Sequence, residues 1–210
     1  MLEKLPEGLG QALVNQRAGM AQVVYNHLHA QGESARITVS SPAFVFNGFL
    51  PKRCTADGDG ISPPLSWSTC PAETAAIAII VEDADSPTPH PLVHAIAVDL
   101  DPDIESLPEG ALNAQHQPGV KLEIGSNSFF KHAWLPPDPP PGHGEHRYVF
   151  QVFALRPGSG FSKSVGRSEF IKVVLDRAIA VGCLIGLYER GLSTDGEIAE
   201  EQQSSTLSTA

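Results

Sequence analysis

Three things are scarce in this chain of 210 residues, and each scarcity excludes a class of protein. Cysteine is rare: Cys54, Cys70 and Cys183 form an odd set with no CxxC pair and no metal-ligand spacing. They read as free thiols in a reducing compartment, so the cytoplasm is the expected location and no metal or disulfide framework is expected. Long apolar runs are missing, and none approaches the roughly 20 residues that cross a bilayer, so no transmembrane segment is expected. The opening Met1-Leu2-Glu3-Lys4-Leu5-Pro6 lacks the basic and then continuously apolar regions of a secretory signal. Lys and Arg are absent from residue 54 to residue 120, while nine acids fall between Glu73 and Glu109. With a formal net charge of −10, such a surface repels phosphate backbones and anionic membranes, which argues against a nucleic-acid partner.

What is present suggests one β-rich domain with a real core. Apolar positions Leu9, Leu13, Met20, Val24 and Leu28 recur near a helical period, predicting an amphipathic helical extension over residues 1–35. That helix would pack on the body or form a homodimer contact, and Gln31-Gly32-Glu33-Ser34 would end it as a turn. Residues 36–190 carry short β-branched and aromatic runs at Ile37–Val39, Ala43–Phe46, Ala75–Val81, Val93–Leu100 and Tyr148–Leu155. Pro/Gly/Asp-rich connectors separate them, as in an antiparallel sandwich rather than βαβ units. Trp134 to Gly142 is too rich in proline for an interior strand and reads as a stiff loop. Residues 168–190 read as a second, C-terminal helix, with Gly182 and Gly186 weakening its far end. Residues 191–210, Ser/Thr/Glu/Gln-rich and acidic, read as a disordered tail.

Chemistry-bearing side chains gather at two strand ends. Val81-Glu82-Asp83-Ala84-Asp85-Ser86-Pro87 is followed by His94, the one polar residue of an apolar strand, and Gly144-Glu145-His146-Arg147-Tyr148 opens another. Asp83 and Asp85, two apart, would share a face if the strand continues. Solvated turn acids and a satisfied core histidine are the plainer alternatives. His146 and Tyr148 share a face and Arg147 takes the other. Arg147 is therefore expected to support the site, its planar fork pairing with Asp83 or Asp85. His143, in the neighbouring turn, is given no role.

Asp83 to Pro87, then His94, then Pro139-Pro140-Pro141-Gly142-His143-Gly144-Glu145-His146-Arg147-Tyr148 resemble the phosphatidylethanolamine-binding, Raf-kinase-inhibitor-like family in its bacterial branch. Asp57-Gly58-Asp59-Gly60-Ile61-Ser62-Pro63-Pro64-Leu65-Ser66-Trp67 is similar to a further signature of that family. The resemblance covers about residues 36–190. It implies a mostly β, antiparallel sandwich with a small pocket for phosphate, a phospholipid head group or another anion. The pocket residues it implies are Asp83, Asp85, Pro87, His94, Pro140, His146 and Tyr148, with no cofactor. Two departures stand out: Ser86 lies between Asp85 and Pro87, and Trp134-Leu135-Pro136-Pro137 replaces a Tyr-x-Gly-Pro lead-in.

An anion edged by two carboxylates needs compensation, from protonated histidines, from Arg147 or from an ammonium on a zwitterionic ligand. The favoured reading is a non-enzymatic binding protein for a small anionic or zwitterionic ligand. The alternative is a modulator of a kinase or protease acting through the pocket rim. A hydrolase ranks lower, because no Gly-x-Ser-x-Gly elbow exists and no nucleophile adjoins His146, so no catalytic residue is assigned. A metal site from the histidines and acids is allowed by residue type but has no short ligand spacing.

Overall fold

The computed structural model describes residues 7–29, 34–113 and 122–191. Its centre is set by three strands that are apolar on both faces: β5 (Ala76–Asp83), β6 (Leu92–Leu100) and β9 (His146–Leu155). Such runs bury both sides of a sheet, and the burial divides by residue parity. Ile77, Ile79 and Val81 of β5, with Tyr148, Phe150 and Val152 of β9, enter one core cluster. Ala78 and Ile80, with Phe153, enter a second cluster on the opposite face.

The chain is mostly β. β1 (Ala35–Arg36), β3 (Gly48–Phe49), β8 (Glu123–Ile124) and β10 (Ala178–Tyr188) complete a seven-stranded sheet ordered β1-β10-β9-β5-β6-β8, with β3 also on β10. β2 (Val39–Ser40), β4 (Leu65–Trp67) and β7 (Ser106–Leu107) form a three-stranded sheet. It packs on the first face through Val39, Leu65, Trp67 and Leu107. On the second face lie helices α2 (Val24–His29) and α3 (Arg167–Arg177), through Val24, Leu28, Phe170 and Val174.

Several expectations need correction. The large sheet is mixed, because β1 and β3 run parallel to β10. Ala43–Phe46 forms no strand; Phe44 is buried in the core while Val45 and Phe46 are exposed. The continuous N-terminal helix is instead α1 (Glu7–Leu13) and α2, joined by an extended stretch and a short 3-10 turn at Met20–Gln22. The backbone amides of Ala18 and Gly19 are bonded to the carbonyls of Ser86 and Ala84, so they cannot serve a helix. The expected turn at 31–34 falls, but for Ser34, outside the described residues, as does the tail from residue 192.

The C-terminal helix stops at Arg177, and the chain continues as β10 to Tyr188, paired with β9 save for an irregularity between Ala178 and Ala180. An apolar run such as AIAVGCLIGLY fits a buried helix or a buried strand by pattern alone. Gly182 decides for the strand: a Cβ there would lie 2.0 Å from the Ile37 carbonyl oxygen, so only glycine admits the chain crossing beside it.

Candidate functional site

β5 and β9 bring their ends together with Asp83 opposite Tyr148. Residue parity places Asp83, His146 and Tyr148 on the face of the first core cluster, and Arg147 on the other. His94 joins that face through an irregularity. Pairing steps from Val81–Ala95 to Glu82–Val93, so one residue of β5 is passed while two of β6 are, and His94 is the extra residue of a β-bulge. Its ring meets Tyr148 edge-on at 5.1 Å between centroids and lies 6.0 Å from Trp134.

The two carboxylates separate. Asp83 Oδ1 accepts the Asp85 amide at 2.8 Å, a local turn that ends the strand and sends Asp85 elsewhere. The shared face expected for Asp83 and Asp85 therefore does not form. Asp83 Oδ2 accepts from His146 Nδ1 at 2.7 Å. Asp85 accepts from Arg147 at three points: the main-chain N–H at 2.9 Å, and Nε and Nη2 at 2.7 Å each. Arg17 adds an ion pair at 3.0 Å. Burial works to raise the Asp85 pKa, but Arg147 and Arg17 outweigh it and bring the carboxyl down to about 2.

His146 is bonded on both sides, with Nε2 in contact with His143 Nδ1 at 2.6 Å. His143 Nε2 in turn donates to the Leu13 carbonyl at 2.8 Å. His94 donates from Nδ1 to the Leu135 carbonyl at 2.6 Å, which leaves Nε2 as the free position. Burial lowers the His94 pKa, with the Asp83 charge opposing it. Burial raises the Tyr148 pKa well above its ordinary value, helped by Asp83. Three buried side-chain atoms in this neighbourhood have no hydrogen-bond partner among the described residues: His94 Nε2, Trp134 Nε1 and Tyr148 Oη.

The proline-rich loop forms one wall. Pro140 is buried and its carbonyl accepts the His143 amide, whereas Pro87 is half-buried at the turn after Asp85. Arg190, just beyond β10, clamps the loop: Nε and Nη2 donate to the Asp57 carboxylate at 3.0 and 2.7 Å, and Nη1 donates to Asp138. Tyr188 also donates to Asp57. The glycine-rich 57–67 motif thus supplies an anchor for the wall rather than a ligand group.

Sequence reasoning missed Trp134, His143, Arg17 and Arg190. His143 carried a signal, standing three residues before His146; Arg17 and Arg190 reach their partners from far along the chain and carried none. A cleft of about 480 Å³ between His90, Leu92, Ser128, Phe130 and Arg167 shares no residue with this cluster. Among the described residues no group of His, Cys, Asp and Glu has the arrangement of a metal site. None of their helices is long and apolar enough to cross a membrane.

Comparisons with known proteins agree with this architecture. The family model described as phosphatidylethanolamine-binding protein matches residues 40–189. A UPF0098 protein of Methanothermobacter thermautotrophicus is 31% identical over 155 residues, 74% of this chain and all of its own length. One from Pyrococcus horikoshii is 34% identical over 161 residues, 76% of this chain and 80% of its own. Among solved structures, a phosphatidylethanolamine-binding protein homologue of Chlamydia trachomatis aligns with a TM-score of 0.66 at 31% identity, covering 75% of this chain and 99% of its own. Escherichia coli YbcL, described as a member of the mammalian family, aligns with a TM-score of 0.67 at 25% identity, covering 74% and 99%. The chain belongs to the phosphatidylethanolamine-binding protein family.

Proposed function

We propose that the chain is a non-enzymatic binding protein whose pocket, between His94, Trp134, Tyr148 and His146, takes a small ligand bearing a phosphate-like anion. The observation that carries this reading is the trio of unpartnered buried atoms, His94 Nε2, Trp134 Nε1 and Tyr148 Oη. Each buried polar group left unpaired costs about 1–3 kcal/mol, which a ligand with complementary atoms would recover. An indole N–H can only donate and a phenol donates readily, so the complementary ligand is rich in acceptors. Membership of the phosphatidylethanolamine-binding family supports the same reading.

The His94 tautomer refines it. Because Nδ1 holds the proton donated to Leu135, neutral His94 offers a lone pair at Nε2. An anion is then bound either with His94 protonated or as dihydrogen phosphate, which carries one proton more than the monohydrogen form that prevails above neutral pH. Both routes take up a proton, so affinity rises as pH falls. Arg147 stands outside the pocket as the support of Asp85, and His146 adjoins no serine or cysteine nucleophile, which favours holding a ligand over converting one.

The test is a titration with inorganic phosphate and with phosphoethanolamine, followed by the histidine-ring and indole resonances. His94 and the Trp134 indole are expected to move together and to saturate, more tightly at pH 6 than at pH 8. Resonances that stay fixed at millimolar concentrations of both compounds would sink the proposal.

A further inference from the structure

The family match begins at residue 40, so the segment around Leu13 to Gly19 lies outside it, yet it is bonded to the site. Four groups stand in series there. The Leu13 carbonyl, His143, His146 and Asp83 are joined by contacts of 2.8, 2.6 and 2.7 Å. A carbonyl and a carboxylate only accept, so both outer contacts need a hydrogen on an imidazole nitrogen, and the middle contact needs another. Two neutral imidazoles carry one N–H each. The series is complete only when it holds one proton more, which balances the Asp83 charge.

Further bonds fasten the same segment. Arg17 Nη1 donates to the Glu145 carbonyl at 2.8 Å and Nη2 to the His143 carbonyl at 3.1 Å. The amides of Ala18 and Gly19 donate to Ser86 and Ala84 at 3.0 and 2.7 Å. Gly10 lies so close to the loop that a Cβ there would be 2.0 Å from the Pro141 carbonyl oxygen. His143 and His146 are thereby buried.

We propose that residues 10–19 are a strap latched over the Pro141–His146 wall by this shared proton, so that loss of the proton breaks the series and lets the Leu13 end lift. Without it either two lone pairs face each other across the 2.6 Å contact between the histidines, or His143 gives its one N–H to that contact and turns a lone pair to the Leu13 carbonyl. Burial, then the neighbouring His146, lowers the His143 pKa. The charged and titratable groups around the series are Asp83 and Asp85 from the end of β5, and His94 from β6. Glu145, Arg147 and Tyr148 flank it at the start of β9, Asp138 comes from the loop, and Arg17 from the strap itself. Asp85 is neutralised by Arg17 and Arg147, and Asp138 is paired with Arg190, which leaves Asp83 as the charge the proton answers. The latch stands whether or not the pocket takes phosphate.

Two measurements on the full chain test it between pH 5 and pH 9. Ring ¹⁵N spectra report how many N–H groups His143 and His146 carry. Hydrogen exchange, corrected for intrinsic rates, reports protection of the amides of residues 11–19. The expected result is three ring N–H groups at low pH and two at high pH. Strap protection should fall about ten-fold with the same midpoint, the weight of one charge-assisted hydrogen bond. In His143→Ala, protection should be low at pH 5 and flat with pH. The proposal is overturned if the rings titrate while strap protection stays constant. It is equally overturned if only two ring N–H groups exist at every pH beside a protected strap, or if His143→Ala keeps wild-type protection. Should His143→Ala fail to fold, the wild-type spectra and exchange decide alone.

Discussion

Arg147 binds Asp85 through its own main-chain N–H at 2.9 Å as well as through Nε and Nη2 at 2.7 Å, so one residue fills most of the acceptor capacity of a fully buried carboxylate. The arrangement holds the turn after β5 against the start of β9, and Arg17 joins the strap to the same group. Asp85 is thus a structural node, its charge already answered by Arg147 and Arg17.

Replacing Asp85 by Asn removes that node. Arg147 and Arg17 are each about a third or more exposed in their side chains and can turn to water, so the loss is about 2 kcal/mol, below the usual range for breaking a buried pair. The pH dependence has a definite sign. The folded pKa, at about 2, lies below the ordinary carboxylate value, so the contribution is full above about pH 4 and disappears as pH falls through 2. Urea unfolding of wild type and Asp85→Asn should differ at pH 7 and converge toward pH 2.5. A gap that is unchanged in acid would contradict the assignment.

How much of this was legible follows from which face each residue uses. The runs in β5, β6 and β9 were visible because both sides of those strands are apolar, and the division of His146 and Tyr148 from Arg147 follows from strand parity alone. β10 was hidden because its apolar run has no polar alternation to set its period, and the contact that rules out a helix, Gly182 against Ile37, is long-range. Two-residue strands such as β1 and β3 leave no pattern at all. In the site, parity put Asp83 and Asp85 together, but the Asp85 amide folds back on Asp83 and the strand ends between them. His94 reaches the face of Tyr148 only because of the bulge, which no periodicity announces. His143 and Arg17 act through a strap that meets the wall about 126 residues along the chain.

On the opposite face of β5, Glu82 ties both helices to the sheet. It is fully buried and accepts from the Val24 amide at 2.9 Å, Gln151 Nε2 at 2.8 Å and Arg167 Nε at 2.7 Å. Arg167 also donates to the Gln22 carbonyl. Glu82→Ala leaves an arginine, an amide and a backbone N–H without their acceptor, and should cost about 3–5 kcal/mol. Urea denaturation measures this, and a loss below about 1 kcal/mol would show that water replaces the carboxylate. Phosphate binding by the protein that remains folded should be intact, because Glu82 faces away from the pocket.

Tyr148→Phe separates a binding group from a structural one. The Tyr148 hydroxyl is fully buried and has no partner among the described residues, so removing it also removes a group whose desolvation is uncompensated in the unliganded state. Unfolding stability should therefore stay level or rise by up to about 1 kcal/mol, opposite to the usual effect of deleting atoms from a core. Phosphate affinity should fall about ten-fold or more, the weight of one hydrogen bond to a charged group. Trp134→Phe, which deletes the second unpartnered donor, should lower affinity in the same way, although its smaller ring costs packing against Phe150. Calorimetric titration beside chemical denaturation gives both quantities for each variant. A Tyr148→Phe protein that loses stability with unchanged affinity would mean that the hydroxyl serves the fold through ordered water, and the pocket reading would then lose its main support.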